Sequence, residues 1–124
     1  MKSKICKHCG AVIEGAEWLK IPELKIEVSK PKEYTKPYNE MEIPEGCRLV
    51  KIWELFWIYE SKYKDFIFGE DGYVNFACEQ LDIDKKNKWS RWLCRSRNDD
   101  LFARVDNLLY ADEDGRVVFV RELK

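Results

Sequence analysis

The 124-residue sequence holds one histidine, one glutamine, one threonine, two methionines, four prolines and six glycines. A Ser-His-Asp or Cys-His catalytic site would have to use the lone histidine, His8, which lies in the N-terminal head. Neither a P-loop nor a G-x-G-x-x-G occurs, so the usual phosphate cradles are missing. No apolar run reaches the roughly 18 residues of a membrane span. The opening MKSKICKHCG lacks the apolar core of a signal peptide. A basic surplus is also absent: 22 Lys and Arg stand against 23 Asp and Glu, a net charge of −1. That balance disfavours a general nucleic-acid grip and a polybasic membrane anchor. The five cysteines, Cys6, Cys9, Cys47, Cys78 and Cys94, are odd in number with one close pair, which is no disulfide framework. The expectation is a soluble protein that is not an enzyme, cytoplasmic or displayed by an unidentified route.

What is present fills one domain. A chain of this length, 45% hydrophobic and 14% aromatic, can bury one good core. Few Gln and Thr beside abundant Lys, Glu and Ile lean towards a thermophile-like composition. Residues 1–16 form a head, and residues 17–124 the folded domain. In WLKIPELKIEV, Leu24, Ile26 and Val28 alternate with charged residues, which predicts a half-buried strand with one wet face after Pro22. Residues 29–46 carry three prolines and no periodicity, a connecting loop ending in the turn signal Pro44-Glu45-Gly46. CRLV reads as extended. Helical spacing of Ile52, Trp53, Phe56 and Tyr59 predicts a helix from about Ile52 to Lys64, its aromatic face in the core. YVNFACEQLDI fits a strand or a second short helix, and DKKNK a charged loop. The closing RVVFVREL predicts a central strand, with Val117 and Phe119 facing one way and Val118 and Val120 the other. Short strands, one main helix and long irregular segments together predict α+β.

Three constellations carry candidate chemistry. Cys6-Lys7-His8-Cys9-Gly10 looks like half of a zinc knuckle, so Cys6 and Cys9 are candidate zinc ligands that need completion from elsewhere. The acidic pairs Asp82/Asp84, Asp99/Asp100 and Asp112/Asp114 have the spacing to bind a cation, or to be ordinary solvated loops. Arg91, Arg95, Arg97 and Arg104 interleave with Trp92 and Phe102, as single-strand nucleic-acid surfaces do. Asp99, Asp100, Asp106 and Asp112 offset that charge. A zinc-knuckle nucleic-acid-binding module is the alternative reading.

Residues 89–112, WSRWLCRSRNDDLFARVDNLLYAD, draw on a separate palette. After Lys88 the next lysine is Lys124, and the stretch has no Glu, Gln or Met. Lys, Glu, Gln, Met and Trp make up 37 of the 124 residues. That rate predicts about seven in such a window, where only Trp89 and Trp92 occur. These five types share one property. They cannot be reached from an asparagine codon by changing its adenines, whereas every other type in the stretch can.

Adenine-directed rewriting of asparagine codons is what diversity-generating retroelements do near the C-terminus of their target protein. A second likeness points the same way. IPEGCRLVKIWELFWIYE resembles the P-x-G-W-R-L-x-x-x-x-E-L segment of C-type-lectin-fold domains related to the formylglycine-generating enzymes. GRVVFVREL resembles their closing G-[FV]-R-x-V-R strand. Gly46, Arg48, Leu49, Glu54 and Leu55 match in place, and Gly115, Arg116, Val118 and Arg121 match in type with shifted spacing; Cys47 replaces the usual Trp and Lys51 a common capping Thr. The likeness covers residues 43–60 and 112–122 well and the rest only by layout. The whole chain is similar to compact variable proteins of archaeal retroelements, of the kind assigned to Nanoarchaeota.

This resemblance implies a compact C-type lectin-like fold with paired N- and C-terminal strands. Its variable region, about 89–112, would lie on an irregular segment before the last strand. The function it implies is recognition of a macromolecular ligand, a protein or cell-surface component, on a fixed scaffold. Tyr, Phe and Arg would serve as anchors, and Ser, Asn and Asp as adaptable hydrogen-bonding groups. The set expected to contain most of the variable, ligand-binding positions is Leu93, Cys94, Ser96, Asn98, Asp99, Asp100, Phe102, Ala103, Val105, Asp106, Leu108 and Tyr110, some of them buried because Leu101 to Leu109 is rich in apolar residues, the rest on one face. Trp89 and Trp92 are expected to face inward.

Overall fold

The computed structural model describes residues 17–69 and 72–123. Strands β1 (Trp18–Ile21) and β2 (Ile26–Ser29) form a hairpin in which Ile21 pairs with Ile26. The single strand expected across this segment is therefore two. Proline fixes a helix-like φ and has no N–H for a ladder, so Pro22 opens a 3-10 turn, Pro22–Leu24. Lys25 closes the turn at φ 56 and donates to the Pro22 carbonyl at 3.0 Å. Strand β2 has no wet face. Glu27 is buried too, where it accepts from Arg121 Nε at 2.9 Å.

Most of residues 29–46 is irregular, as expected, apart from the two-residue strand β3 (Lys32–Glu33) and a 3-10 turn at Tyr38–Glu40. Strand β4 (Arg48–Leu49) leads into helix α1 (Ile52–Tyr59). The helix stops short of Lys64. The chain turns at 60–63 and resumes as α2 (Lys64–Phe68). Its rotation also departs from expectation. Trp53 is 52% and Phe56 41% exposed, while Glu54, Leu55 and Ile58 are buried. The cause is Glu54. Its carboxylate accepts two bonds from the Arg48 guanidinium, at 2.9 and 2.8 Å, and one from the Lys51 N–H at 2.8 Å. A buried carboxylate must keep its donors. That requirement turns Glu54 inward and leaves Trp53 and Phe56 outside. Arg48 and Glu54, matched in the motif above, thus lock α1 to β4.

Strand β5 (Val74–Cys78) is buried throughout, which settles the strand-or-helix ambiguity. The charged loop expected at DKKNK falls largely within a short helix, α3 (Asp82–Asn87). Asp84 caps its first turn by accepting from the Leu81 N–H at 2.8 Å, and Lys88 ends it at φ 58. Then come β6 (Trp89–Arg95), β7 (Leu101–Asn107), β8 (Gly115–Val117) and β9 (Phe119–Glu122).

RVVFVREL is not one strand. The chain changes sheets at Val118: β8 belongs to a five-stranded sheet ordered β3-β8-β5-β6-β7, β9 to a four-stranded sheet ordered β1-β2-β9-β4. Strands β5 and β8 run parallel, and every other pairing is antiparallel. Both β8 and β9 are interior strands, as expected, and the last strand, β9, pairs with the second, β2, while the first, β1, reaches it only through β2. Gly115 is demanded by close approach, because a Cβ there would collide with the Tyr34 carbonyl oxygen.

The expected alternation survives the change of sheet. Val118 and Val120 enter the main core with Val28, Leu55, Ile58, Phe76 and Leu93. Val117 enters a second cluster with Tyr38, Leu49, Ala77 and Trp92, and Phe119 packs against it. The centre of the five-stranded sheet is therefore covered on both faces. Among the described residues, no helix is long and apolar enough to cross a membrane. The architecture is α+β.

Candidate ligand-binding face

The palette-biased stretch folds as a regular hairpin, not the irregular segment expected. Seven pairs run from Trp89↔Asn107 to Arg95↔Leu101. Successive side chains of each strand point to opposite faces, and paired residues share a face. One face carries Arg91 and Val105, Leu93 and Ala103, Arg95 and Leu101. The other carries Ser90 and Asp106, Trp92 and Arg104, Cys94 and Phe102. Strand β6 is interior to the sheet; β7 is one of its two terminal strands.

That difference in position divides the candidate residues. Leu93 and Cys94, both 0% exposed, are corrected from ligand-binding to structural. Leu93 packs in the main core, and the Cys94 thiol donates to Asn75 Oδ1 at 2.7 Å. Burial pushes the Cys94 thiol above its ordinary pKa. Trp92 faces inward as expected; Trp89 does not, at 38% exposed. On β7, Phe102 is 45% and Val105 36% exposed, with Ala103 exposed and Asp106 half-buried. The turn displays Asn98, Asp99 and Asp100, with Ser96 half-buried. Leu108 and Tyr110 are half-buried against the second cluster. The set does not form one face. Phe102 and Asp106 lie on one side of the sheet and Ala103 and Val105 on the other, because adjacent residues of a strand must diverge.

The Phe102 side is a chain of polar and aromatic contacts. Trp92 Nε1 donates to Ser90 Oγ at 2.8 Å, and Ser90 Oγ donates to the Asn107 carbonyl at 2.9 Å. The Trp92 ring meets Tyr110 edge-on at 5.4 Å. The Arg104 guanidinium sits 4.7 Å from the Tyr110 ring centre and bonds Asp106 at 2.9 Å. Tyr110 Oη and Asn75 Nδ2 both donate to Asp112 Oδ2 at 2.9 Å. Burial, then the Asp112 carboxylate, raises the Tyr110 hydroxyl. Burial alone would raise Asp112 in turn, but the Asp114 N–H, Tyr110 and Asn75 outweigh it and hold it below its ordinary value. Phe102, Arg104, Asp106 and Tyr110 thus stand as a preorganised surface over a buried tryptophan. Arg104 and Asp112, read from sequence as part of a nucleic-acid surface and of a cation-binding pair, were not in the ligand-binding set, although alternation with Phe102 and Asp106 gave a signal for Arg104.

The turn between the strands is pinned. Ser96 N–H donates to the Asp100 carbonyl at 2.9 Å, and Asp99 adopts φ 65. Tyr59 Oη donates to Asp99 Oδ2 at 2.6 Å, and Lys64 Nζ lies 3.7 Å away. These two partners hold the exposed Asp99 carboxyl below its ordinary value, the Tyr59 bond most. A cleft of about 700 Å³ runs beside the turn, lined by Lys64, Phe68, Arg95, Ser96 and Arg97 among others.

Most of these arginines and several of the acids have structural partners. Arg91 grips the buried Asp84 through two bonds, at 2.8 and 2.6 Å. Arg95, 5% exposed, donates to the Phe68 and Gly72 carbonyls. Of the four arginines read as a nucleic-acid surface, Arg97 alone is exposed. Asp84, Asp99 and Asp112 each cap or tie a local element, and no group of three His, Cys, Asp or Glu among the described residues is arranged to hold a metal. Cys6 and Cys9 lie outside the described residues. Comparison with protein-family models, curated proteins and solved structures finds no match for this chain.

Proposed function

We propose that this chain is a recognition protein whose diversified hairpin, β6–β7 with its turn, sits on a fixed C-type lectin-like scaffold. Adenine-directed retroelement mutagenesis would supply the diversity, and the ligand is a macromolecule such as a protein or cell-surface component. The observation that carries this reading is a coincidence of boundaries. The stretch with the restricted palette, 89–112, matches one hairpin and its exit, and that hairpin supplies a terminal strand of the sheet whose outer edge is unpaired among the described residues.

Three further features support it. Every exposed position of the stretch except Trp89 is of a type reachable from an asparagine codon. The left-handed backbone at Asp99 favours Asn, Asp and Gly, all within that palette. Irregular or edge backbone held by rigid elements is where binding surfaces are built, and here Tyr59 and Lys64 anchor the turn. Side chains for recognition are Ser96, Asn98, Asp100, Phe102, Arg104, Asp106 and Tyr110; Leu93 and Cys94 belong to the scaffold.

The test is genomic. The DNA beside this coding region should hold a near-repeat of the segment for residues 89–112, carrying adenines where the two copies differ, next to a reverse transcriptase. A complete flanking sequence without that repeat would sink the proposal.

A further inference from the structure

Among the described residues, no strand pairs with the outer edge of β7, and β7 lacks several of the devices that protect such edges, its two charges, Arg104 and Asp106, being of opposite sign. Its seven residues, LFARVDN, hold no lysine and no proline, and the ladder to β6 runs without a bulge. In an antiparallel ladder, hydrogen-bonded and non-hydrogen-bonded pairs alternate. The bond from Ser96 N–H to the Asp100 carbonyl sets the phase. Phe102, Arg104 and Asp106 therefore direct their backbone groups at β6, and Leu101, Ala103, Val105 and Asn107 direct theirs outward.

We infer that a second copy of this chain pairs with that edge, β7 against β7, antiparallel about a two-fold axis at Val105. This goes beyond the recognition reading and stands on the strand alone. Three registers keep the sheet faces matched near the middle of the strand. Centring on Arg104 sets two guanidinium groups opposite each other and Phe102 opposite Asp106. Centring on Ala103 leaves Asp106 facing Asp100 of the other copy. Centring on Val105 pairs Val105 with itself, Ala103 with Asn107, and Arg104 with Asp106 twice. The Arg104–Asp106 pairs fall in the non-hydrogen-bonded positions, where side chains approach most closely. One strand thus carries both halves of a self-complementary, isologous contact.

Exposure agrees with this seating. Val105 and Ala103 lie on the sheet face that bears α1, since Leu93, the partner of Ala103, packs with Leu55 and Ile58. Val105 is 36% exposed, as are Trp53 (52%) and Phe56 (41%) on α1. The pairing uses backbone groups and leaves the side chains of Phe102 and Arg104 projecting from the sheet. Two recognition faces become one.

Sedimentation velocity of the full chain over a range of concentrations should show a reversible monomer–dimer equilibrium. Val105→Cys, treated with a short bis-maleimide that spans the wider spacing of a hydrogen-bonded pair, should give a dimer whose linkage peptide mapping places between the two introduced thiols. Ala103→Cys and Leu101→Cys should not. Arg104→Asp should weaken the dimer by about tenfold, and mixing Arg104→Asp chains with Asp106→Arg chains should restore it as a heterodimer, which repair of the bond between Arg104 and Asp106 within one chain cannot do. A chain that stays monomeric throughout, or a cross-link at Ala103→Cys in place of Val105→Cys, would overturn the inference.

Discussion

Leu93 and Phe102 lie nine residues apart in the same biased stretch, yet the fold assigns them opposite tolerances. Leu93 is 0% exposed in the middle of an interior strand, between Phe76 and Ala103. Leu93→Ala removes that side chain from a packed core. Substitutions of this kind cost about 2–5 kcal/mol, from lost transfer energy plus the cavity left behind. Against a total stability on the order of 5–15 kcal/mol, that is a large share. For a chain of this size it lowers the melting temperature by roughly 10 °C. Phe102 is 45% exposed on the edge strand, so Phe102→Ala forfeits only part of a buried ring. About half of the 1.5–3 kcal/mol for full burial gives roughly 1 kcal/mol. Urea unfolding followed by tryptophan fluorescence measures both, with buried Trp92 as a reporter inside the hairpin. The Leu93→Ala midpoint should fall well below that of Phe102→Ala with the urea slope unchanged. Equal midpoints, or a greater loss in Phe102→Ala, would refute the division of the stretch into scaffold and display positions.

Asp84→Ala strands the Arg91 guanidinium beside a helix it no longer holds; loss of about 3–5 kcal/mol is expected for breaking a buried pair, read from the same urea curves. Asp84 and Asp112 are held below their ordinary pKa by their partners, despite the opposing effect of burial. A depressed folded pKa contributes stability that is present above the unfolded value and lost as pH falls through the folded one. Urea midpoints should therefore be flat above about pH 5 and decline below about pH 4, and Asp112→Asn should flatten part of that decline. Cys78 and Cys94 are buried with raised thiol pKa. Iodoacetamide at mildly alkaline pH should spare both in the folded protein and label both in urea, as read by peptide mass; native labelling of Cys94 would contradict its burial.

How much of this was legible in the sequence depends on the scale of the signal. The final strand's alternation, Val117 and Phe119 against Val118 and Val120, was read correctly because period-2 patterning reports which side each residue buries. The change of sheet at Val118 was not, since the same alternation fits one strand or two. The aromatic face of α1 was misassigned. Hydrophobic periodicity counts Trp53 and Phe56 as core, whereas the carboxylate of Glu54, bound to Arg48, sets the rotation. Leu93 and Cys94 carry no mark separating them from Phe102 and Ala103. Their burial follows from β6 being flanked by β5 and β7.

Sequence alone determined the balance of charge, the lack of a basic surplus, the boundary at Lys88 where the palette changes, and the class of residue available beyond it. These are properties of composition and order, and they need no neighbours in space. Tertiary structure alone decided that the stretch is a hairpin, that one of its strands is interior and the other an edge, and that Trp92 is covered while Phe102 is open. The physical reason is that burial is made by what packs on top. Strand β6 is flanked by two strands and covered by helix and loop, while β7 has a neighbour on one side only, so similar side chains become scaffold in one strand and surface in the other.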